Sequence, residues 1–213
     1  MEDRTQTAAI TESDSDSPRL FTNDFLDRLS RVHYLVPAVV YLPVVVVLAT
    51  FGFLRFGVVT GIASLTAGYL LWTLLEYFGH RFVFHMQFPG KIGQRVHYLI
   101  HGVHHCHPSD PLRLVMPPLL SVPILASGFL VLRLAFGPDL APIIFAGFAA
   151  GYVGYDMIHY YVHHAAPQTR LGRLLRQRHM FHHFRNETVL FGVSAPWWDI
   201  VFGTNAPVSK QGT

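Results

Sequence analysis

Residues 34–78 read YLVPAVVYLPVVVVLATFGFLRFGVVTGIASLTAGYLLWTLLEYF, with Arg55 and Glu76 as the only charged side chains. The inner run 36–50, VPAVVYLPVVVVLAT, holds none. A helix needs roughly 20 predominantly apolar residues to cross about 30 Å of hydrocarbon. This stretch is long enough to cross twice, over about 34–54 and 57–78, with little more than Arg55 and Phe56 as the link. The pattern recurs at 114–136, with Arg133 near its far end, and at 140–161, which contains Asp156; Gly137, Pro138 and Asp139 join them. Links this short force antiparallel neighbours. The four segments therefore predict an all-α integral membrane protein with four transmembrane helices in two hairpins.

The rest of the chain agrees. Of 213 residues, 51% are apolar and only 14% charged, and the mean hydropathy is +0.32. Soluble domains average about 25% charged residues, and four buried helices of this length would leave a soluble chain too little polar surface to cover them. Of the 16 Lys and Arg, only Arg55 and Arg133 fall at the far ends of the hairpins; the others lie in the arm 1–33, the central stretch 80–113 and the tail from 164. By the positive-inside rule those three regions are cytoplasmic, and with them both termini of a multi-pass protein. The net charge of +3 is scattered rather than gathered in a stripe, so a nucleic-acid partner is not expected. The first twenty residues are polar and predict a disordered start to the arm; the domain proper is read as 34–204, with 205–213 as a tail. Cys106 is the only cysteine, which excludes an intramolecular disulfide and is expected to pack rather than ligate.

Histidine is the anomaly, with 14 in the chain. They cluster on the predicted cytoplasmic side: His80 and His85 in HRFVFH, His101, His104 and His105 in HGVHH, His159 and His163 in HYYVHH, and His179, His182 and His183 in HMFHH. Residues three and four apart share a helix face, so each of the last three clusters can aim its imidazoles at one point. The first pair is five apart, and Gly79 is a place where the helix could stop, leaving one of the two rings beyond its end. A lone histidine is more often a packed or surface residue than a ligand, but ten at ligand spacing would be ten separate accidents. One ion takes about three or four protein ligands, so ten imidazoles suit two ions. Imidazole serves zinc, copper, iron and nickel alike, so the ligands leave the metal open. Glu76 lies four before His80 and Asp156 three before His159, each placed to accept the outer N–H of a metal-bound ring. Asp110 and Asp199 could do the same or cap helices. His97 lies four before His101 and shares its face, so it could support a ligand or sit at the surface. His107 and His164 flank clusters without completing a spacing, His33 falls at the expected membrane boundary, and Trp197 and Trp198 could sit at the bilayer surface or in the core.

The stretches EYFGHRFVFHM (76–86), HGVHHCHPSDPLRLVMPP (101–118), GYVGYDMIHYYVHH (151–164), RQRHMFHHF (176–184) and FGVSAPWWDIVFGT (191–204) together resemble the fatty acid hydroxylase superfamily over roughly 68–204. Histidine boxes alone are shared with sterol desaturases. The RLVMPP, YDMIHY and FGVS–WD–FGT runs are narrower and resemble the fatty acid and ceramide 2-hydroxylases. The resemblance implies four membrane helices under a helical cytosolic cap holding a dimetal centre, with the ten histidines above as ligands. It implies two metal ions, iron expected, although zinc can occupy such sites. It implies O2-dependent hydroxylation at C2 of a long acyl chain, free or in an amide lipid, drawn from the surrounding membrane lipids. Eukaryotic members carry an N-terminal cytochrome b5 domain. The arm here is too short for one, so a separate donor is expected (cytochrome b5-like, ferredoxin or a reductase) in a bacterial inner membrane. The alternatives are a sterol or carotenoid hydroxylase or desaturase of the same superfamily and, more distantly, a zinc-dependent membrane hydrolase. The chain has no HExxH helix to support the last of these.

Overall fold

The computed structural model describes residues 17–86 and 89–207; the expected disordered start of the arm and the end of the tail lie outside them. The regular structure of the described residues is all helix, with no strand among them. The order is α1 (Asp24–Leu29), α2 (Val36–Phe78), a π-helical turn (Gly79–Phe84), α3 (Gly90–His97), a second π-helical turn (Tyr98–Gly102), α4 (Val103–Cys106), α5 (Pro118–His164), α6 (Arg170–Phe184) and α7 (Trp197–Val201).

Both long helices are broken once, at a glycine. Gly57 (φ 77°, ψ 177°) divides α2 and Gly137 (φ 75°, ψ 174°) divides α5. That conformation is open essentially only to glycine, and Pro138 follows in the first turn of the next rod, where its missing N–H is harmless. The chain reverses at each break. A Cβ on Gly61 would lie 2.4 Å from the Phe53 ring, whereas eight residues along a straight helix span about 12 Å. Phe129 and Phe145, sixteen residues apart, bring their ring centroids within 5.1 Å. The links are thus tighter than the sequence suggested, and the third rod starts at Pro118 rather than near 114.

The four rods pack around Tyr41, Trp72, Leu125, Leu132, Phe145 and Tyr152. Trp72 meets Phe148 edge-on at 5.2 Å, and the Tyr41 hydroxyl lies 2.7 Å from Ser121 Oγ. The outward faces are apolar and bare: Leu54 and Val59 are 84% exposed and Leu134 is 79% exposed. Exposed apolar area on this scale marks an interaction or lipid-facing surface rather than a water-facing one. The helical segments Val36–Phe84 and Pro118–His164 reach mean hydropathies of 2.3 and 2.0 and are long and apolar enough to cross a membrane.

The described part of the arm is tied to the body by charge. Asn23 caps α1, accepting from the N–H of Phe25 and Leu26, while buried Arg113 donates to the Pro18 carbonyl at 2.7 Å and to Asp27 at 3.2 Å.

Candidate metal centre

All ten clustered histidines meet at one end of the four rods. They form two quintets: His80, His85, His101, His105 and His182, and His104, His159, His163, His179 and His183. The helix register decides the split. In HGVHH and HMFHH the first and last rings go to one quintet and the middle ring, three residues on, to the other, because i+3 and i+4 lie about 100° apart around the axis. Gly79 does not end the helical path (φ −60°, ψ −47°). The path widens into a π-helical turn, and the His85 N–H reaches the His80 carbonyl at 3.3 Å. An i→i+5 turn suits the HxxxxH spacing, so both rings face the same quintet.

Within the quintets the Nε2 atoms face one another. In the first, His80 lies 3.2 Å from both His85 and His101, and His101–His105 and His85–His182 are 2.9 Å apart. In the second, His159–His104 is 3.0 Å, His104–His183 3.1 Å, His183–His179 3.0 Å and His179–His163 2.8 Å. A ring nitrogen carries one proton or one lone pair and makes one good hydrogen bond. His80, His85, His101, His104, His179 and His183 each face two others, so hydrogen bonding cannot satisfy these sets. A shared cation can. Metal–nitrogen bonds of about 2.0–2.1 Å at right angles place the nitrogens about 3 Å apart, the spacing observed. The quintets adjoin, with the His105 and His183 rings stacked at 4.1 Å. The residues present therefore fit metal ions.

Backbone carbonyls fix some of the rings. Nδ1 of His80 lies 2.6 Å from the Phe191 oxygen and Nδ1 of His182 lies 2.7 Å from the Val189 oxygen. Each donates its proton there, which leaves Nε2 bare for a metal. The segment 189–195 was not foreseen as part of the site. Its only signal was the FGVS run, because carbonyl groups have no residue signature.

The two carboxylates do not touch the rings. Buried Glu76 accepts from the Ser194 N–H at 2.7 Å and from its hydroxyl, so it grips the same segment instead. Asp156 is buried one turn from His159, yet Asp156 Oδ2 and His159 Nδ1 both lack a hydrogen-bond partner among the described residues. Cys106, expected to pack, is exposed. His164 stacks on Tyr160 at 4.4 Å and His33 lies against Tyr34, both outside the quintets. Trp198 donates from Nε1 to Thr73 at 3.1 Å, tying α7 to α2, while Trp197 is exposed.

Burial, then the neighbouring rings His182 and His105, hold His85 down to about 3. Burial, then His182 and His97, hold His105 down to about 3, and burial, then His105 and His163, push His183 further below the ordinary range. These rings are neutral at pH 7, the form that ligates metal. When unfolded they would take up protons below about pH 6.5. The metal-free protein should therefore lose stability as pH falls through the window from about 6.5 towards 3, because the unfolded chain then binds more protons. Thermal unfolding of metal-free protein at about pH 5 and about pH 7.5 checks this; equal midpoints would contradict it.

Two adjoining clusters of largely buried imidazoles, at one end of a helical bundle long and apolar enough to cross a membrane, could hold metal ions. The fatty acid hydroxylase model matches residues 65–204, and the chain belongs to that family. It is 40% identical over 190 residues to the dihydroceramide fatty acyl 2-hydroxylase FAH2 of Arabidopsis thaliana, covering 89% of this chain and 80% of that one. With the ceramide very long chain fatty acid hydroxylase SCS7 of Saccharomyces cerevisiae it shares 39% over 203 residues, which is 92% of this chain and 52% of the relative. A solved structure of full-length scs7p, with only the hydroxylase domain visible, superposes with a TM-score of 0.79 at 36% identity, covering 87% of this chain and 71% of that one.

Proposed function

We propose that the chain is a membrane oxidoreductase that hydroxylates a long acyl chain at C2, in a fatty acid or an acyl-amide lipid. Its membership of the fatty acid hydroxylase family and the names of its relatives support the reaction. The observation that carries the chemistry is the pair of quintets, whose nitrogens stand at metal-ligand spacing. His80, His85, His101, His105 and His182 would hold one ion, and His104, His159, His163, His179 and His183 the other. Bound iron in both would supply the activation of O2. One oxygen atom enters the C2–H bond and the other leaves as water, with two electrons and two protons taken from outside; an electron-transfer partner is therefore part of the reading.

The protein's own groups orient and enclose. The Phe191 and Val189 carbonyls hold His80 and His182 with their Nε2 atoms inward. The four rods would span the bilayer as two hairpins, with α3, α4, α6, α7 and the π-helical turns forming a cytosolic cap. The acyl tail can then stay in lipid while its head end reaches the metals. The asymmetry of Lys and Arg supports this orientation. Mass spectrometry of lipids from cells with and without the protein tests the function. A gain of one oxygen at C2 is expected; a loss of two hydrogens would instead make it a desaturase.

Metal removal gives a second test. Chelation of the purified protein should abolish turnover, and ferrous iron with reductant should restore it. Restoration by zinc without reductant would overturn the redox reading, since zinc has no redox chemistry.

A further inference from the structure

The FGVS–WD–FGT run resembled a family signature; of its residues, Phe191 turns its carbonyl to His80 and Ser194 bonds to Glu76. In the structure its residues converge on Asp199, which is fully buried. Asp199 Oδ1 accepts from the Phe191 N–H at 2.8 Å and the Thr204 hydroxyl at 2.8 Å. Oδ2 accepts from the Gly192 N–H at 3.1 Å and from Arg178 Nη2 at 3.0 Å. Arg178 is the residue before His179 on α6. One carboxylate therefore joins the helix that carries His179, His182 and His183 to the segment whose carbonyls orient His80 and His182.

The backbone between those two carbonyls is unusual. Leu190 has a φ of 62°, the one positive value at a non-glycine residue among the described residues, and its N–H bonds to the Thr204 carbonyl at 3.0 Å. This left-handed residue stands between Val189 and Phe191, both of which turn their carbonyls to a ring. A bulky residue keeps such a conformation only where its surroundings over-determine it. A Cβ on Gly192 would lie 2.5 Å from the Ala195 carbonyl and 3.0 Å from Asp199 Oδ2, so the close approach of this carboxylate needs glycine there. The second quintet is held differently: the Pro108 carbonyl, outside the 189–192 segment, accepts from His163, and Nδ1 of His104, His159, His179 and His183 is buried without a protein partner among the described residues.

We propose that Asp199 is a positioning residue chiefly for the first quintet, the one whose rings the 189–191 carbonyls hold. Through the backbone of 190–192 it holds the Phe191 and Val189 carbonyls in place and so fixes which nitrogens of His80 and His182 face the ion. This rests on reading each quintet as a metal site. Groups that orient a metal-bound histidine typically change metal affinity 10–100-fold.

The test is titration of metal-free protein in detergent with Co2+, followed by its visible absorption bands. Wild type should take up two equivalents. Asp199→Asn should bind one equivalent as wild type does and the other about 10–100-fold more weakly. The weakened equivalent should be the one that His182→Ala abolishes. Wild-type affinity for both equivalents in Asp199→Asn, or equal weakening of both, would overturn the proposal. Fewer than two equivalents in wild type would instead sink the two-ion reading. If Asp199→Asn is not folded and monodisperse, Thr204→Val decides, since it removes one hydrogen bond to the carboxylate and keeps the charge. Weakening confined to the same equivalent supports the role, and unchanged binding overturns it.

Discussion

Replacing His182 or His104 with alanine should abolish hydroxylation while leaving the helical bundle folded. The two residues sit in different quintets, and each is almost completely buried. His182 Nε2 faces His85 at 2.9 Å, and His104 Nε2 faces both His159 and His183. Either substitution deletes one of the nitrogens that would share a cation. Loss of a group that merely supports a ligand weakens metal binding 10–100-fold, so loss of the ligand should exceed about 100-fold in affinity and in turnover. Metal content per chain and C2-hydroxylated lipid should fall together. His97→Ala is the control, since His97 belongs to neither quintet. Full activity in His182→Ala or His104→Ala would remove that residue from the ligand set.

The second large effect concerns the packing of the rods. Gly68 and Gly147 form a reciprocal contact between α2 and α5. A Cβ on Gly68 would lie 1.8 Å from the Ile144 carbonyl oxygen, and one on Gly147 would lie 2.0 Å from that of Leu65. Both obstacles are backbone, so the helices themselves would have to separate. Small residues at helix crossings in membranes exist to allow this approach, because dispersion contacts and backbone proximity hold such helices together. Overpacking a close-fitting interior costs about 1–3 kcal/mol. Gly68→Ala and Gly147→Ala should each lower the thermal midpoint in detergent, with Gly147→Leu worse than Gly147→Ala. Gly154→Ala should be neutral or slightly stabilising, since a Cβ there meets nothing within 4 Å and alanine favours helix. A destabilised Gly154→Ala beside an unaffected Gly147→Ala would contradict the packing described.

The hairpins and the histidines were legible in the sequence because hydropathy and i, i+4 spacing are local signals. The allotment of rings was not. HGVHH and HMFHH look like single three-ligand units, but each is shared between the two quintets, which depends on where the helices stand relative to each other. His80 and His85 looked mismatched at five residues apart because the π-helical turn after Phe78 has no clear mark in the sequence. Glu76 was expected to accept from His80, because helix-face geometry pointed it there. Its actual partner, Ser194, is 118 residues away and was beyond any local reading. Asp156 likewise shares a face with His159 without bonding to it. Cys106 was expected to face away from the ligand pair and to pack; it lies at the end of α4, away from the quintets, but exposed rather than packed.

The glycine breaks at 57 and 137 have a consequence for how the molecule divides its labour. The ten clustered imidazoles lie at the end of the bundle where the second rod of each hairpin finishes, so the tips at Gly57 and Gly137 sit about 30 Å away along some twenty residues of helix. Those tips need only turn the chain around. The first rod of each pair supplies none of the clustered rings, and serves as scaffolding that keeps the ring-bearing partner upright. Selection for chemistry can act on one end of this bundle while the other drifts, constrained only by the requirement to bend.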